Sequence, residues 1–402
     1  MSALLRLQEA SVAAGCVLLL LLALSGWGLM GGYVPSDAEA FASVLFSSQS
    51  GLGGFLRSVH VYSASGLVVV GAVYLLAAYL SGSYLRARLS WWLPLTVYLV
   101  VLGLCFTGYL LPMDQGAYWG TVVRLGIVET APVGGPLLAD LLRGGGSFNA
   151  STLPRFHALH VSVLPLAVVL LLLPVLPAIR DRLRGAGIGP LHAVAALALA
   201  AIYLLATLSP AALEPRANPA DTEYVPRPEW YFLWLFQLGK YLESVPWVRS
   251  LLLPAAGLGF IYWLPLLRPP SSSTRAAVAA SWCLAWSVLT GLARWDDRTL
   301  PPKPTHSQAQ GARAVLNYRE QCLDCHGAAG RGDGPQARAF GLEARDFTKA
   351  EFWRETSRER IVESIRGGRG EDMPAFGKKL DREQIEALAA YLQTRFQPKG
   401  EP

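Results

Sequence analysis

The chain has 402 residues, 52% of them hydrophobic and 16% charged, with a formal net charge of +6. Soluble chains carry roughly 25% charged residues, and the shortage here is uneven, because residues 301–402 hold 32 of the 64 charged side chains. This excludes a disordered protein, a nucleic-acid binder and a soluble enzyme of one or two domains. It leaves a polytopic membrane protein with a soluble C-terminal domain. The expected fold, from the spans and motifs that follow, is an all-α membrane bundle followed by a small all-α domain.

Seven segments approach or exceed the ~20 apolar residues needed to cross a bilayer: 10–32, 60–81, 91–111, 160–179, 191–208, 250–268 and 276–294. The first is too long, and begins too far into the chain, for a cleaved signal peptide. Arginines orient the set. Arg86 and Arg88 follow the second span, Arg180, Arg182 and Arg184 follow the fourth, and Arg268 and Arg275 separate the last two. Those loops, the N-terminus and Arg6 are expected on the cytoplasmic side. Loops 112–159 and 209–249, and everything after residue 295, are then expected outside. Cys16, Cys105 and Cys283 lie in apolar runs and read as small buried thiols. The Pro-rich stretch Leu300-Pro301-Pro302-Lys303-Pro304 falls in an expected linker, 296–307.

In the last segment, 308–402, Cys322-Leu323-Asp324-Cys325-His326 has the C-x-x-C-H spacing of covalent c-type haem attachment. A zinc half-site or a chance match is the competing reading. Met373, the only methionine of the segment, can supply a second axial ligand opposite His326. Ile385, Leu388, Tyr391 and Leu392 recur at helical spacing and predict a closing helix over 381–396. The segment resembles a class I cytochrome c along its whole length. Its expected place outside the membrane suits covalent haem attachment.

Ionisable groups inside spans are functional hypotheses. His60 opens the second span and His160 the fourth, both from the outer side, so two imidazoles on two helices could share one haem. Interfacial histidines solvated by headgroups are the alternative. Around them, Leu56-Arg57-Ser58-Val59-His60, Thr107-Gly108-Tyr109-Leu110-Leu111-Pro112, Arg155-Phe156-His157-Ala158-Leu159-His160 and Arg227-Pro228-Glu229-Trp230-Tyr231-Phe232-Leu233 resemble cytochrome b of the bc and b6f complexes. The resemblance covers about 10–295. It implies a haem-binding four-helix domain (1–185), a three-helix domain with the PEWY motif (186–295), and a cytochrome c (308–402) in one polypeptide.

The resemblance implies two stacked b haems, each held by one histidine from the second span and one from the fourth, with glycines on spans one and three making room. The outer set is complete: Gly26, Gly108, His60 and His160, with Arg57 and Arg155 as further cofactor-binding residues. Fourteen residues along a helix is about 21 Å at about 1.5 Å per residue, on nearly the same face. At that offset the inner set has Tyr74, Pro174 or Val175, Val12 and Pro94 in place of the two histidines and two glycines. The inner haem is therefore expected to be absent, leaving one haem b and one haem c. His192 and His157 are the remaining histidines that could substitute or compete as ligands.

For the outer side the resemblance implies a quinol-oxidation site with Glu229 as proton acceptor and Tyr231, Pro228, Trp119 and Gly120 shaping the pocket. Independently of the resemblance, quinol oxidation releases protons and a carboxylate at the boundary can carry one to water. The bland reading of Glu229 is a helix-start carboxylate favoured by the dipole. Met113 departs from the family, which usually has tryptophan there. Expected partners are a Rieske iron–sulfur protein, a membrane quinone, a further electron acceptor and a second copy of the chain. The expected location is a bacterial cytoplasmic membrane, and the expected role is a quinol:cytochrome c oxidoreductase subunit without a standard Q cycle. A membrane anchor and electron relay for another redox enzyme, and a degenerate paralogue that keeps only the structure, are the alternatives.

Overall fold

The computed structural model describes residues 2–86, 88–185, 188–221, 223–300, 306–370 and 372–398. The chain divides into two compact units, Met1–Pro301 and Pro302–Pro402. Residues 301–305, the proline-rich core of the expected linker, lie outside the described residues. No strand occurs among the described residues beyond isolated bridges.

The first unit is built from α1 (Ser2–Met30), α2 (Ala40–Gln49), α3 (Gly51–Ser81), α4 (Leu89–Leu110), α5 (Gln115–Glu129), α6 (Gly135–Arg143), α7 (Thr152–Ala158), α8 (Leu164–Leu172), α9 (Leu176–Gly185), α10 (Ile188–Leu208), α11 (Leu233–Lys240), α12 (Leu253–Trp263) and α13 (Ser272–Asp297). Among the described residues, six helical runs are long and apolar enough to cross a membrane: Ala3–Met30, Gly51–Ser81, Leu89–Leu110, Thr152–Asp181, Val248–Leu266 and Ser272–Asp297. The expected fifth span is the shorter apolar stretch His192–Leu208 of α10. The protein is therefore a helical membrane protein.

Local chemistry sets several boundaries. α3 starts well before His60 because Ser50 accepts a capping hydrogen bond from the Gly53 amide (3.0 Å), and it stops at Gly82, whose φ of 75° suits only a residue without Cβ. The fourth span is one run with a π-helical turn at Leu159–Val163, immediately before Pro165. Pro165 has no N–H to give the carbonyl four residues back, and the widened turn absorbs that loss. The same device recurs at Val248–Leu252, ahead of Pro254.

α1 packs along α3, α10 lies against both, and α3, α4 and α8 follow in sequence. Leu18, Val59, Leu67, Val68, Val101 and Ile202 fill the middle of this bundle. One end is closed by Phe41, Leu110, Met113, Leu125, Leu153, Phe156 and Leu213. Loop 112–159 is thus a packed layer containing α5 and α6, which hydropathy alone does not separate from connecting chain. At the other end the indoles of Trp91 and Trp92 donate to the carbonyls of Ile261 (2.9 Å) and Tyr262 (2.8 Å). Cys16 and Cys283, expected as buried thiols, face outward. In a membrane bundle an outward apolar face meets lipid, so hydrophobic context does not imply protein packing.

The second unit comprises α14 (His306–Gln321), α15 (Leu323–His326), α16 (Pro335–Phe340), α17 (Ala350–Glu355), α18 (Arg358–Gly367) and α19 (Arg382–Phe396). α19 is the expected closing helix. Asp381 and Gln384 form a reciprocal capping box at its start, and Ile385, Leu388, Ala389, Leu392 and Phe396 are its buried face. Tyr318, Phe347, Ile361 and Ile365 complete this core.

Candidate functional site

His60 on α3 and His160 in the π-helical turn face one another across the bundle, ring centroids 6.1 Å apart and planes at 70°. Two imidazoles bonded at about 2 Å to one metal between them have centroids roughly 6 Å apart. Both rings are held through Nδ1. His160 Nδ1 lies 3.0 Å from the Leu104 carbonyl, which can only accept, so Nδ1 carries the proton. Ser25 Oγ donates to the Leu21 carbonyl (2.6 Å) and accepts from His60 Nδ1 (3.0 Å). Each Nε2 therefore keeps its lone pair for a metal, the arrangement that outer partners impose on ligating histidines.

The two glycines do more than leave room beside the rings. A Cβ at Gly108 would stand 2.5 Å from His160 Cε1, and one at Gly26 would stand 3.2 Å from His60 Cε1. Each glycine is the surface against which its histidine lies. Arg57 donates to the carbonyls of Ala211 (2.6 Å) and Ala212 (2.7 Å), and Arg155 to that of Leu141 (2.7 Å), so both pin loops at the histidine end. His157 stacks on Tyr33 (5.3 Å), and His192 is exposed on α10.

One offset further along, aromatic side chains pack on the helices. A Cβ at Gly71 would stand 2.5 Å from Tyr98 Cδ2, so the Tyr98 ring lies on the α3 backbone between the second and third spans. Tyr74 packs with the buried cluster of Ala78, Tyr84, Trp91 and Leu95. Pro94 lies inside the unbroken α4, and Pro174 and Val175 sit in a short 3₁₀ turn. Val12 is a half-buried position of α1.

Above the histidines, α5 meets the segment carrying Glu229. Asp114 caps α5 by accepting from the Ala117 amide (2.8 Å), and its other oxygen accepts from the Glu214 amide (3.1 Å), tying loop 209–229 to the site. Burial pushes the Asp114 carboxyl up, against the pull of these two amides. The preceding residue, Met113, has a φ of 50° and is buried, with its carbonyl accepting from the Ala217 amide (3.0 Å). Such a backbone costs on the order of 1–3 kcal/mol and persists because the surroundings over-determine it.

Pro228 and Glu229 lead into a single 3₁₀ turn, Trp230–Phe232. The Glu229 side chain makes no capping hydrogen bond to this turn. Tyr231 faces Cys105 and the middle cluster. The Trp119 indole donates to the Asn218 carbonyl (3.3 Å). A Cβ at Gly120 would stand 2.8 Å from Tyr109 Cε1, so this glycine admits Tyr109, whose hydroxyl donates to the Arg227 carbonyl (3.2 Å). Over the same Tyr109 ring lies Arg124, its guanidinium carbon 4.0 Å from the centroid. Spacing offered no sign of Arg124, because its neighbours Glu229 and Tyr231 are more than a hundred residues away.

In the second unit His326 stacks on Phe347 (4.6 Å, 20°) and its Nδ1 donates to the Arg345 carbonyl (3.2 Å), again leaving Nε2 available. Tyr318 donates to the Gly327 carbonyl (2.7 Å) and fixes the turn after the motif. A small cavity of about 60 Å³ is lined by Cys322, His326 and Met373 together with Tyr318, Ile365 and Leu388. One thiol (Cys322), an imidazole and a thioether thus line an apolar slot, while the Cys325 thiol, outside this lining, donates to Gln336 Oε1 (3.7 Å); the donor types fit a covalently held haem. Burial pushes the Cys322 thiol up to about 12.

Residues 9–182 match the family model described as Cytochrome b/b6/petB. Cytochrome b6 of Tupiella akineta and that of Synechococcus elongatus are each 38% identical over 151 residues, which cover 37% of this chain and 70% of the relative. The chain belongs to the cytochrome b/b6 family. Its C-terminal part, residues 309–392, matches the model described as Cytochrome C oxidase, cbb3-type, subunit III, so this cytochrome b carries a fused cytochrome c. A solved structure titled Hyperthermophilic respiratory Complex III shares the fold, with a TM-score of 0.58 and 23% identity over 73% of this chain and 85% of that one. The cytochrome b and cytochrome c parts together imply haem b and haem c in a bc-type electron-transfer subunit.

Proposed function

We propose that this chain is the redox subunit of a quinol:cytochrome c oxidoreductase-like complex with one b haem and one c haem. The observation that carries the reading is the His60–His160 pair, both rings anchored through Nδ1 with centroids 6.1 Å apart. His60 and His160 would hold the b haem beside Gly26 and Gly108, with Arg57 and Arg155 as further cofactor-binding residues. Cys322, Cys325, His326 and Met373 would hold the c haem. When bound, haem supplies one-electron carriers.

The chain's own residues do the rest. The pocket formed by Trp119, Gly120, Pro228 and Tyr231 binds a membrane quinol, and Glu229 accepts a proton from its hydroxyl. A carboxylate at a membrane boundary can pass that proton to water. Tyr98 lying on Gly71, and Tyr74 packed on the Trp91 cluster, support the loss of the inner haem. The chain alone then has no carrier towards its inner face, so both electrons leave on the outer side. The partners are a Rieske-type iron–sulfur protein, a further electron acceptor and a second copy of the chain. The setting is a bacterial cytoplasmic membrane, with the N-terminus inside and the cytochrome c domain outside.

A pyridine haemochrome assay on purified protein is expected to give b and c haem in equal amounts. A ratio of two b to one c overturns the loss of the inner haem. Glu229→Gln is expected to slow quinol-driven reduction of the c haem by about 100-fold, within the 10²–10⁴ range of a positioned proton acceptor, with both haem spectra intact. An unchanged rate removes quinol oxidation and leaves the membrane anchor and relay.

A further inference from the structure

Gly116, Gly120 and Arg124 recur at four-residue intervals and so share one face of α5. Cβ atoms at the two glycines would stand 3.3 Å from the Tyr109 hydroxyl and 2.8 Å from Tyr109 Cε1 respectively, so Tyr109 lies in the groove they leave. Arg124 closes the groove, 4.0 Å from the Tyr109 centroid and 5.9 Å from that of Phe106. Other arginines of this end are tied to loops or paired: Arg57 to Ala211 and Ala212, Arg216 to Ala38, Arg143 to Glu129 and Asp140, and Arg227 to Asp297. Arg124 has the Tyr109 side chain as its partner, lying on that ring and hydrogen-bonded to it, beside Glu229 and Tyr231. Burial lowers its pKa, while Tyr109, Glu229 and Tyr231 oppose that shift. Arginine stays protonated at any working pH.

We propose that Arg124 is the cation that stabilises the negative charge formed on quinol as its first proton leaves for Glu229. The inference rests on the quinol reading above. In this step the quinol O–H bond breaks, the proton joins the Glu229 carboxylate and the bonding pair stays on the quinol oxygen. The pocket's net charge is unchanged. One fixed cation faces the negative charge before and after the transfer, so no new counter-ion has to be brought in. A preorganised charge of this kind acts mainly on the transition state.

The groups facing Arg124 are few. α4 contributes Tyr109, and the 3₁₀ segment contributes Glu229 and Tyr231, the latter beside Cys105. Asp114 and Glu214 lie at the Gly116 end of the groove. α6 brings Asp140 and Arg143, paired as above, and the π-helical turn before α12 brings Arg249, which lies against Gly239. Glu229 and the quinol are therefore the pair whose proton exchange should respond to Arg124.

The test measures quinol-driven reduction of the c haem from pH 5.5 to 9 in the full chain within its complex. Arg124→Gln is expected to lower kcat about 100-fold with KM within about threefold of wild type. The rising limb of the pH profile should move up by about one unit. Arg124→Lys, which keeps the charge without the planar stack, should recover activity to within about tenfold of wild type. A kcat for Arg124→Gln close to wild type, or an Arg124→Lys variant as slow as Arg124→Gln, overturns the proposal.

A binding measurement on the wild-type protein needs no turnover and no variant. Titrated with 2-hydroxy-1,4-naphthoquinone, the site should bind the ionised form about tenfold more tightly than the neutral form. Equal binding of the two forms overturns the role of Arg124. Wild-type protein that binds the anion but shows no quinol-driven reduction leaves the cation site standing and removes the quinol-oxidase reading.

Discussion

Gly108→Ala is expected to abolish b-haem binding, leaving less than about a tenth of the wild-type b signal with the c haem unaffected. The new methyl would stand 2.5 Å from His160 Cε1, 3.0 Å from Nδ1 and 3.1 Å from Nε2, so the whole ring has to move. It has nowhere near to go, because Nδ1 is tied to the Leu104 carbonyl at 3.0 Å and the opposite ring is His60. Alanine is the better helix former by about 1 kcal/mol, so a loss of haem cannot be laid to a weakened α4. Gly26→Ala is the internal contrast. Its methyl would meet one ring carbon at 3.2 Å, which a shift of a few tenths of an ångström relieves, so most of the b haem should remain. His160→Ala sets the floor. Reduced-minus-oxidised spectra of the three variants decide the matter, and Gly108→Ala with a wild-type b signal would show that the glycine–histidine contact is not what seats the ligand.

The second large effect is expected in the C-terminal domain. Cys322→Ala with Cys325→Ala should eliminate haem staining on a denaturing gel, since no thioether can form. The domain should also unfold at lower temperature, because the slot between Tyr318, Ile365 and Leu388 loses the group that fills it. Met373→Leu is the discriminating partner experiment. It retains both cysteines and His326, so the stain should persist, while the midpoint potential falls by on the order of 0.1 V or more with loss of the thioether ligand. A persistent stain in the double cysteine variant, or an unmoved potential in Met373→Leu, would contradict the ligand set.

The histidines, the C-x-x-C-H motif and the outer glycines were readable in the primary structure because ligand chemistry depends on residue type and on spacing along one helix. Span lengths were readable because crossing a bilayer takes a set number of apolar residues. Boundaries were less so: α3 begins at Gly51 because Ser50 caps it, well before the apolar run itself starts. Loop 112–159 held α5 and α6, whose packing against Phe41, Phe156 and Leu213 depends on chain far away in sequence. The π-helical turn at Leu159–Val163 follows from Pro165, a local cause whose consequence for the direction of His160 needs the fold.

The amino-acid sequence by itself thus determined the membrane class, the family resemblance, the candidate ligands and the replacement of the inner histidines and glycines. Only the tertiary structure decided how those residues are held. It set the Nδ1 partners Ser25 and Leu104 that orient the two imidazoles, the seating of Tyr98 on Gly71, and the place of Arg124 over Tyr109 beside Glu229. The physical reason is common to all three. Each is a contact between side chains or backbone groups on different helices, and residues distant in the chain meet only through the packing of the bundle.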